Sequence, residues 1–362
     1  MNTTMRLVLR ALKLVLINLL IFLVLLTPFE LYFGTWLSGQ GAIARFDARP
    51  NTVEKLSIPA YPRGTTITFR RDQYGLRGGP ANPADIDVLA IGGSTTIERY
   101  NDENDTWTAV LQRLLREKGC EVTIANAGID GYATAGYIAS FDGWLDRVPG
   151  LKPRFIVVYL GATDALVDPT KVDLLGSARY PERWRQFQHY VAAHSALHWF
   201  YTKLRGWLRA RQAGLPYGET PPPRTLAWEP VSLPPDFATI VATKIERYRQ
   251  RLTELNRVIR KFGARPIYIT EQRADGRLVD GQWQQLEGSR GVRDAATLAA
   301  INETTLEFCR ETGETCIDLA GELEFTPDEF ADYIHTTPAG SAHIARFLTA
   351  KLSPVLCQKG ER

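Results

Sequence analysis

Asp87-Val88-Leu89-Ala90-Ile91-Gly92-Gly93-Ser94-Thr95 is the stretch on which the fold is decided. An apolar run without polar alternation describes a strand buried on both faces, as strands of parallel sheets are. Gly92 and Gly93 end the strand and deliver Ser94 at its C-terminal end, where open α/β sheets gather their chemistry. Phe155-Ile156-Val157-Val158-Tyr159-Leu160 repeats the pattern as a β-branched central strand and runs into Gly161-Ala162-Thr163-Asp164.

Alternation extends outward from these two strands. A helix with Asp105 as N-cap carries Val110, Leu111, Leu114 and Leu115 on one face and stops at Gly119. Val122-Thr123-Ile124-Ala125 reads as the next strand, followed by Asn126-Ala127-Gly128-Ile129-Asp130-Gly131 and a helix over 135–145. Helices are expected over 242–262 and 294–311, strands over 266–270 and 316–319, and a closing helix over 340–356. Five strands alternating with helices predict an α/β domain: three layers around a doubly wound, mostly parallel five-stranded sheet. Residues 84–362 form this domain, interrupted by an insertion over about 166–236 that lacks the strands for a core of its own. Residues 37–83, rich in Gly, Pro and Arg, read as a connector that packs on the domain, with one strand-like piece at Thr65-Thr66-Ile67-Thr68-Phe69.

The N-terminus is a different kind of sequence. Arg6, Arg10 and Lys13 precede an apolar stretch running from Leu14 to Phe33, about the length of a transmembrane helix. Asn18 and Glu30 interrupt it, and Glu30 sits near Tyr32 and Trp36, aromatic residues that favour the headgroup level. A cleaved signal peptide is the competing reading; Ala42-Ile43-Ala44 lies far from the apolar core, so residues 1–36 are read as an uncleaved anchor. The basic flank puts the N-terminus in the cytoplasm and the domain outside an inner membrane. Outside the cytoplasm the four cysteines tend to pair, as Cys309–Cys316 across a helix-to-strand turn and Cys120–Cys357 at the ends of the first and last domain helices. Four buried thiols are the alternative. A net charge of +3 over 362 residues gives no nucleic-acid footprint.

The chain has five histidines, and one lies in Asp332-Tyr333-Ile334-His335. An Asp three residues before a His can hold the imidazole tautomer and stabilise the imidazolium, as a general base serving a hydroxyl nucleophile requires. Ser94, Gly131, Thr163 and Gln272 all fall at or past the C-terminal ends of strands, so they share one rim with the loop bearing His335. Gly92-Gly93-Ser94, Asn126-Ala127-Gly128-Ile129-Asp130-Gly131, Gly161-Ala162-Thr163-Asp164 and Asp332-x-x-His335, in that order, resemble the SGNH/GDSL hydrolases. The resemblance covers most of the chain from Asp72 onward, the insertion excepted. It implies a flavodoxin-like sheet, a Ser94 nucleophile, His335 as base and Asp332 as its orienting carboxylate. It also implies an oxyanion hole built from the Ser94 and Gly131 N–H groups and a third donor. The family places Asn at that third position, in Gly-x-Asn-Asp; this chain has Thr163, whose hydroxyl is shorter and carries one hydrogen. Loss of one such donor costs on the order of 3 kcal/mol of transition-state stabilisation.

The expected activity is a serine esterase, without cofactor or metal, removing acetyl or other acyl groups from an envelope polysaccharide or glycolipid. An acyltransferase using the same triad and a non-catalytic glycan- or partner-binding module are the alternatives. Gln272 and Arg99 are the expected substrate contacts, Arg99 in the polar loop after the nucleophile. His194 and His198 have i, i+4 spacing but no third ligand nearby, so an ordinary amphipathic helix over 194–211 is preferred, packed on the domain rather than lying on a membrane or closing over the site. Phosphate binding by Gly92-Gly93-Ser94-Thr95 lacks the P-loop lysine.

Overall fold

The computed structural model describes residues 3–34, 36, 48–58, 65–166, 227–287, 289 and 291–358, with 191, 195–198, 200, 201, 204 and 208. The connector at 37–47 and 59–64, most of the insertion with its Pro-rich 216–223, and His194 lie outside the described residues. The chain divides into two compact units, Met1–Arg45 with Ser177–Leu215, and Phe46–Gly176 with Pro216–Arg362. The central part of the insertion therefore groups with the N-terminus rather than with the sheet.

In the first unit, α1 (Thr3–Phe33) contains a segment, Lys13–Phe33, of 21 residues with mean hydropathy 2.5, long and apolar enough to cross a membrane. Three of its polar side chains are hydrogen-bonded. Asn18 Nδ2 donates to the Leu14 carbonyl at 2.8 Å and the Thr27 hydroxyl to that of Leu23 at 2.7 Å. The Glu30 carboxylate accepts from Trp36 Nε1 (2.8 Å), the Ser195 hydroxyl (2.7 Å) and the backbone N–H groups of Ala196 (2.9 Å) and Leu197 (3.0 Å).

The second unit opens with β1 (Val53–Ser57) and β2 (Thr66–Arg70), an antiparallel pair. There follow β3 (Val88–Gly92), α2 (Ser94–Ile97), α3 (Trp107–Glu117), β4 (Ile124–Asn126), α4 (Thr134–Gly143), β5 (Phe155–Leu160) and α5 (Ala162–Leu166). The end of the expected insertion carries a strand, β6 (Trp228–Pro230), and after it come α6 (Phe237–Phe262), β7 (Arg265–Thr270), β8 (Gly276–Val279) and β9 (Gln282–Leu286). The chain closes with α7 (Val292–Thr312), β10 (Thr315–Ile317), α8 (Leu319–Glu322) and α9 (Pro338–Leu356).

Five strands form a parallel sheet in the order β4-β3-β5-β7-β10. This is the doubly wound order in which the chain reverses direction between β3 and β5, opening a crevice at their C-terminal ends. Strand alternation divides the core between the two faces. Val88, Ala90, Val157, Tyr159, Ile267 and Ile317 face one layer, built by Leu111 and Leu115 of α3 with Ile344, Leu348 and Leu352 of α9. On the other face Tyr268 meets Phe308 of α7 edge-on at 6.0 Å and donates its hydroxyl to Asn256 of α6 at 3.1 Å, while Phe262 of α6 meets Phe141 of α4 edge-to-face at 5.4 Å. Both disulfides lie in this unit. Cys120–Cys357 joins the end of α3 to the end of α9 (Cα–Cα 5.2 Å), and Cys309–Cys316 joins α7 to β10 (Cα–Cα 6.0 Å).

Local chemistry moves several boundaries from their expected places. Thr106, not Asp105, caps α3, its hydroxyl accepting from the Ala109 N–H at 3.2 Å. The last helix starts at Pro338 rather than Gly340, because Thr337 caps it and proline suits the first turn. The last sheet strand ends at Ile317, since Asp318 turns to cap α8 by accepting from Gly321 N–H at 3.0 Å. An antiparallel sheet, β6-β9-β8, is additional to the expected fold. Its hairpin turns at Asp280-Gly281, both with left-handed φ (48° and 77°), the conformation that two-residue primed turns require.

Candidate active site

Ser94 follows β3 directly and is the first residue of α2. Gly92 is required for this geometry: a Cβ there would lie 2.7 Å from the Tyr159 carbonyl and would collide with the Thr96 hydroxyl. The strand thus passes close beside β5 and turns at once, leaving the Ser94 side chain at the crevice. His335 arrives from the loop before α9, and the Ser94 hydroxyl lies 2.7 Å from its Nε2. On the other side of the ring, Nδ1 is 2.6 Å from Asp332 Oδ2, while Asp332 Oδ1 accepts from the backbone N–H groups of Ile334 and His335, both at 2.8 Å. With Nδ1–H directed at the carboxylate, Nε2 is left to accept the serine proton.

Burial alone lowers the His335 pKa, but the hydrogen bond and charge of Asp332 outweigh it, and the imidazole titrates above its ordinary 6.5. Asp332 moves the opposite way. Burial raises it, yet the bonds and charge of His335 with the two backbone donors hold it below the usual carboxylate value. Each partner stabilises the other's charge.

Of the three residues expected at the oxyanion position, Thr163 lies against the nucleophile turn. The Ser94 N–H opens α2 and so has no acceptor within that helix. Gly131 is exposed in the loop after β4 with a left-handed φ of 73°. The Thr163 hydroxyl approaches Gly93, at 3.1 Å from where a Cβ on that glycine would sit. Gly161, at φ 132°, gives the sharp exit from β5 that brings Thr163 there.

Asp164, next in that motif, is fully buried and does structural work of a kind the sequence reading missed. It accepts from the Thr134 N–H (3.0 Å), the Thr134 hydroxyl (2.7 Å) and Arg251 (3.2 Å), and Arg251 Nε also donates to the Thr134 hydroxyl at 2.9 Å. This network ties α5 to the start of α4 and so fixes the loop that carries Gly131. Arg251→Ala leaves the buried Asp164 charge uncompensated, and unfolding free energy is expected to fall by about 3–5 kcal/mol. Denaturant titration of the purified protein checks this; an unchanged midpoint refutes it.

Of the two expected substrate contacts, Arg99 lines the same cleft as Ser94 and His335, together with Glu98, Tyr100, Asn101 and Thr336. Its guanidinium is already engaged, by an ion pair to Glu54 of β1 and by the Phe69 ring of β2 at 5.1 Å. The connector hairpin therefore holds this wall: the Thr68 and Arg70 N–H groups also donate to Asp102 and Glu103, both at 3.0 Å. Gln272 is half-buried and is not among the residues lining the cleft; its Oε1 is buried without a hydrogen-bond partner among the described residues. Its neighbour Glu271 is the residue that reaches the site. The buried Glu271 carboxylate accepts from the Thr95 hydroxyl and the Ala162 N–H, the neighbours of Ser94 and Thr163.

Glu98 is a further buried carboxylate that the sequence reading did not single out as such. It accepts from Trp107 N–H (2.6 Å), the Thr336 hydroxyl (3.1 Å), Asn101 Nδ2 (3.2 Å) and the Ser341 hydroxyl, joining the nucleophile turn to the segment that carries His335. Burial pushes its carboxyl up to about 7 against these donors and the Arg77 charge. Its backbone is left-handed (φ 47°), a conformation glutamate rarely adopts. Arg77 secures that backbone by donating to the carbonyls of Ile97, Glu98 and Asn101 at 2.5–2.7 Å. Among the described residues no group of three or more His, Cys, Asp or Glu is placed to hold a metal.

The sequence model of the GDSL-like Lipase/Acylhydrolase family matches residues 90–343. Esterase TesA of Pseudomonas aeruginosa is 32% identical over 83 residues, which cover 22% of this chain and 38% of that protein. Among solved structures, TesA aligns over 74% of this chain and 98% of its own, at 16% identity and TM-score 0.41. A catalytic mutant of an acetylxylan esterase from Geobacillus stearothermophilus aligns over 73% and 93%, at 13% identity and TM-score 0.43. A putative lipolytic protein of the G-D-S-L family from Desulfitobacterium hafniense aligns over 73% and 97%, at 13% identity and TM-score 0.40. Since the family's sequence pattern extends over well more than half of the chain, from β3 into α9 and across all the motifs just described, this chain belongs to the GDSL-like lipase/acylhydrolase family.

Proposed function

We propose that the protein is a membrane-anchored serine esterase whose domain faces away from the cytoplasm and removes acetyl or other short acyl groups from an envelope polysaccharide or glycolipid. The observation that carries this reading is the relay from Ser94 through His335 to Asp332, at 2.7 and 2.6 Å, in the crevice between β3 and β5. Ser94 attacks the ester carbonyl as its proton passes to His335 Nε2, and the imidazolium is stabilised by Asp332. The tetrahedral oxyanion is received by the Ser94 and Gly131 N–H groups with the Thr163 hydroxyl. Collapse expels the alcohol, which takes the proton back from His335, and water resolves the acyl-enzyme by the same steps.

The space against Ser94 measures about 220 Å³ and opens to solvent, room enough for a short acyl group. Anchoring is supported by Glu30, whose carboxylate is built into the contacts at 195–197 within the first unit. A leader removed on export would take those contacts with it. Two disulfides agree with a domain outside the cytoplasm.

The test is a product assay on the purified full chain, offering acetyl, butyryl and decanoyl esters with and without a soluble sugar acceptor. The expected result is free carboxylate, with turnover falling as the chain lengthens. Acyl sugar as the main product would make the protein a transferase; no turnover and no labelling of Ser94 by a fluorophosphonate would leave a binding module. Thr163→Asn is expected to keep or raise kcat/KM, with a gain of at most about 10³-fold, the upper worth of one full oxyanion donor. A large fall in kcat would give the hydroxyl a role of its own.

A further inference from the structure

Glu30 does more than saturate a carboxylate near the end of α1. The N–H groups it accepts, from Ala196 and Leu197, are the first two of a second helical stretch, and the third, from His198, is taken by the Ser195 hydroxyl at 3.0 Å. Helix starts leave these donors without intrahelical partners. Here a side chain three residues before the end of the apolar span supplies the cap, so the second helix begins at the level where the span ends.

Residues 196–198, 200, 201, 204 and 208 are helical. Leu197, Phe200, Tyr201, Leu204 and Leu208 are exposed by 38–57%. At 3.6 residues per turn these five fall within an arc of roughly 100°, a single apolar stripe. A soluble protein seldom leaves such a stripe facing water. The sequence of the same stretch also carries Lys203, Arg205 and Arg209. An apolar helical stripe with cations nearby in the sequence is the composition that lies in a membrane interface and favours anionic headgroups.

We propose that the helical residues 196–198, 200, 201, 204 and 208 are interfacial, lying in the headgroup and upper acyl region of the bilayer that α1 spans, with Leu197, Phe200, Tyr201, Leu204 and Leu208 among the lipid chains. The occupant of the stripe is phospholipid. The proposal rests on the reading of α1 as an anchor, and Glu30 is the joint between the two helices.

The experiment uses the full chain in vesicles of phosphatidylethanolamine and phosphatidylglycerol. All four native cysteines are paired, so a single introduced cysteine carries the environment-sensitive fluorophore. Labels at Leu204→Cys, Phe22→Cys and, as a control on β1, Val53→Cys are quenched in turn by lipids with a nitroxide near the headgroup or near the chain terminus. The expected result is loss of Leu204-label fluorescence with the shallow nitroxide exceeding that with the deep one, loss at Phe22 with the deep one, and none at Val53. An unquenched Leu204 label overturns the proposal: alone, if the Phe22 label is still quenched, or together with the anchor, if it is not. A blue-shifted but unquenched Leu204 label overturns it in favour of a covering protein, including a second copy of this chain. Quenching at Leu204 chiefly by the deep nitroxide overturns it in favour of a second span. Shallow quenching at Leu204 without quenching at Phe22 keeps the surface helix and removes the anchor.

Discussion

Ser94→Ala is expected to lower kcat for an acetyl ester on the order of 10⁶-fold, the loss found when a serine nucleophile acting with its base is removed. The change deletes one buried oxygen. Gly92, Gly93 and the α2 turn are unaffected, because their geometry comes from close backbone approach and not from the serine side chain. His335 keeps its bond to Asp332 and Glu98 its four donors, so the thermal midpoint should stay near that of the parent protein. Labelling by a fluorophosphonate should vanish in parallel with turnover. Hydrolysis retained by the folded variant would remove Ser94 from the mechanism and leave the Thr95 hydroxyl, already bound to Glu271, as the nearest alternative to examine.

Asp332→Asn is expected to lower kcat/KM by about 10⁴-fold, since an amide holds the imidazole in the wrong tautomer and cannot stabilise its charged form. The pH dependence separates this from simple loss of packing. A general base works as the neutral imidazole, so activity in the parent protein falls on the acid side with a midpoint above 6.5, where His335 is held by Asp332. Removing the carboxylate deletes the largest raising influence and leaves burial, which lowers the value, against only the smaller raising effects of the Asp130 and Glu271 charges. The acid limb of the residual activity should therefore move to lower pH. A variant with the parent limb and a small rate loss would show that Asp332 does not set the state of the ring.

The sheet was legible because its strands announce themselves. Val88–Gly92 and Phe155–Leu160 are continuously apolar and end in glycine, and the helices between them carry apolar stripes and glycine stops. The pair Asp332 and His335 was legible because a three-residue spacing and a shared turn place them together whatever lies around them. Less visible was the second layer of the site. Glu98 and Glu271 look like solvated charges in the sequence; only tertiary packing turns them into buried acceptors. Glu271 and Gln272 illustrate how fine the distinction is, because past the end of a strand one position decides which side chain turns towards the nucleophile. Asp280-Gly281 was a readable hairpin signal, yet its β6 partner comes from far away in sequence, so the three-stranded sheet could not be assembled from local pattern.

The link between Cys120 and Cys357 has a consequence beyond tying two helices. Ser94 precedes the first of these cysteines, and His335 lies between them, on the side of the second. Every peptide bond from Cys120 to the loop before Asp332 can therefore be cut while the fragment bearing the nucleophile stays covalently attached to the fragment bearing its base. A protease that opens the insertion would produce two bands on a reducing gel and one on a non-reducing gel. The nicked chain would still bring Ser94 and His335 to the same crevice.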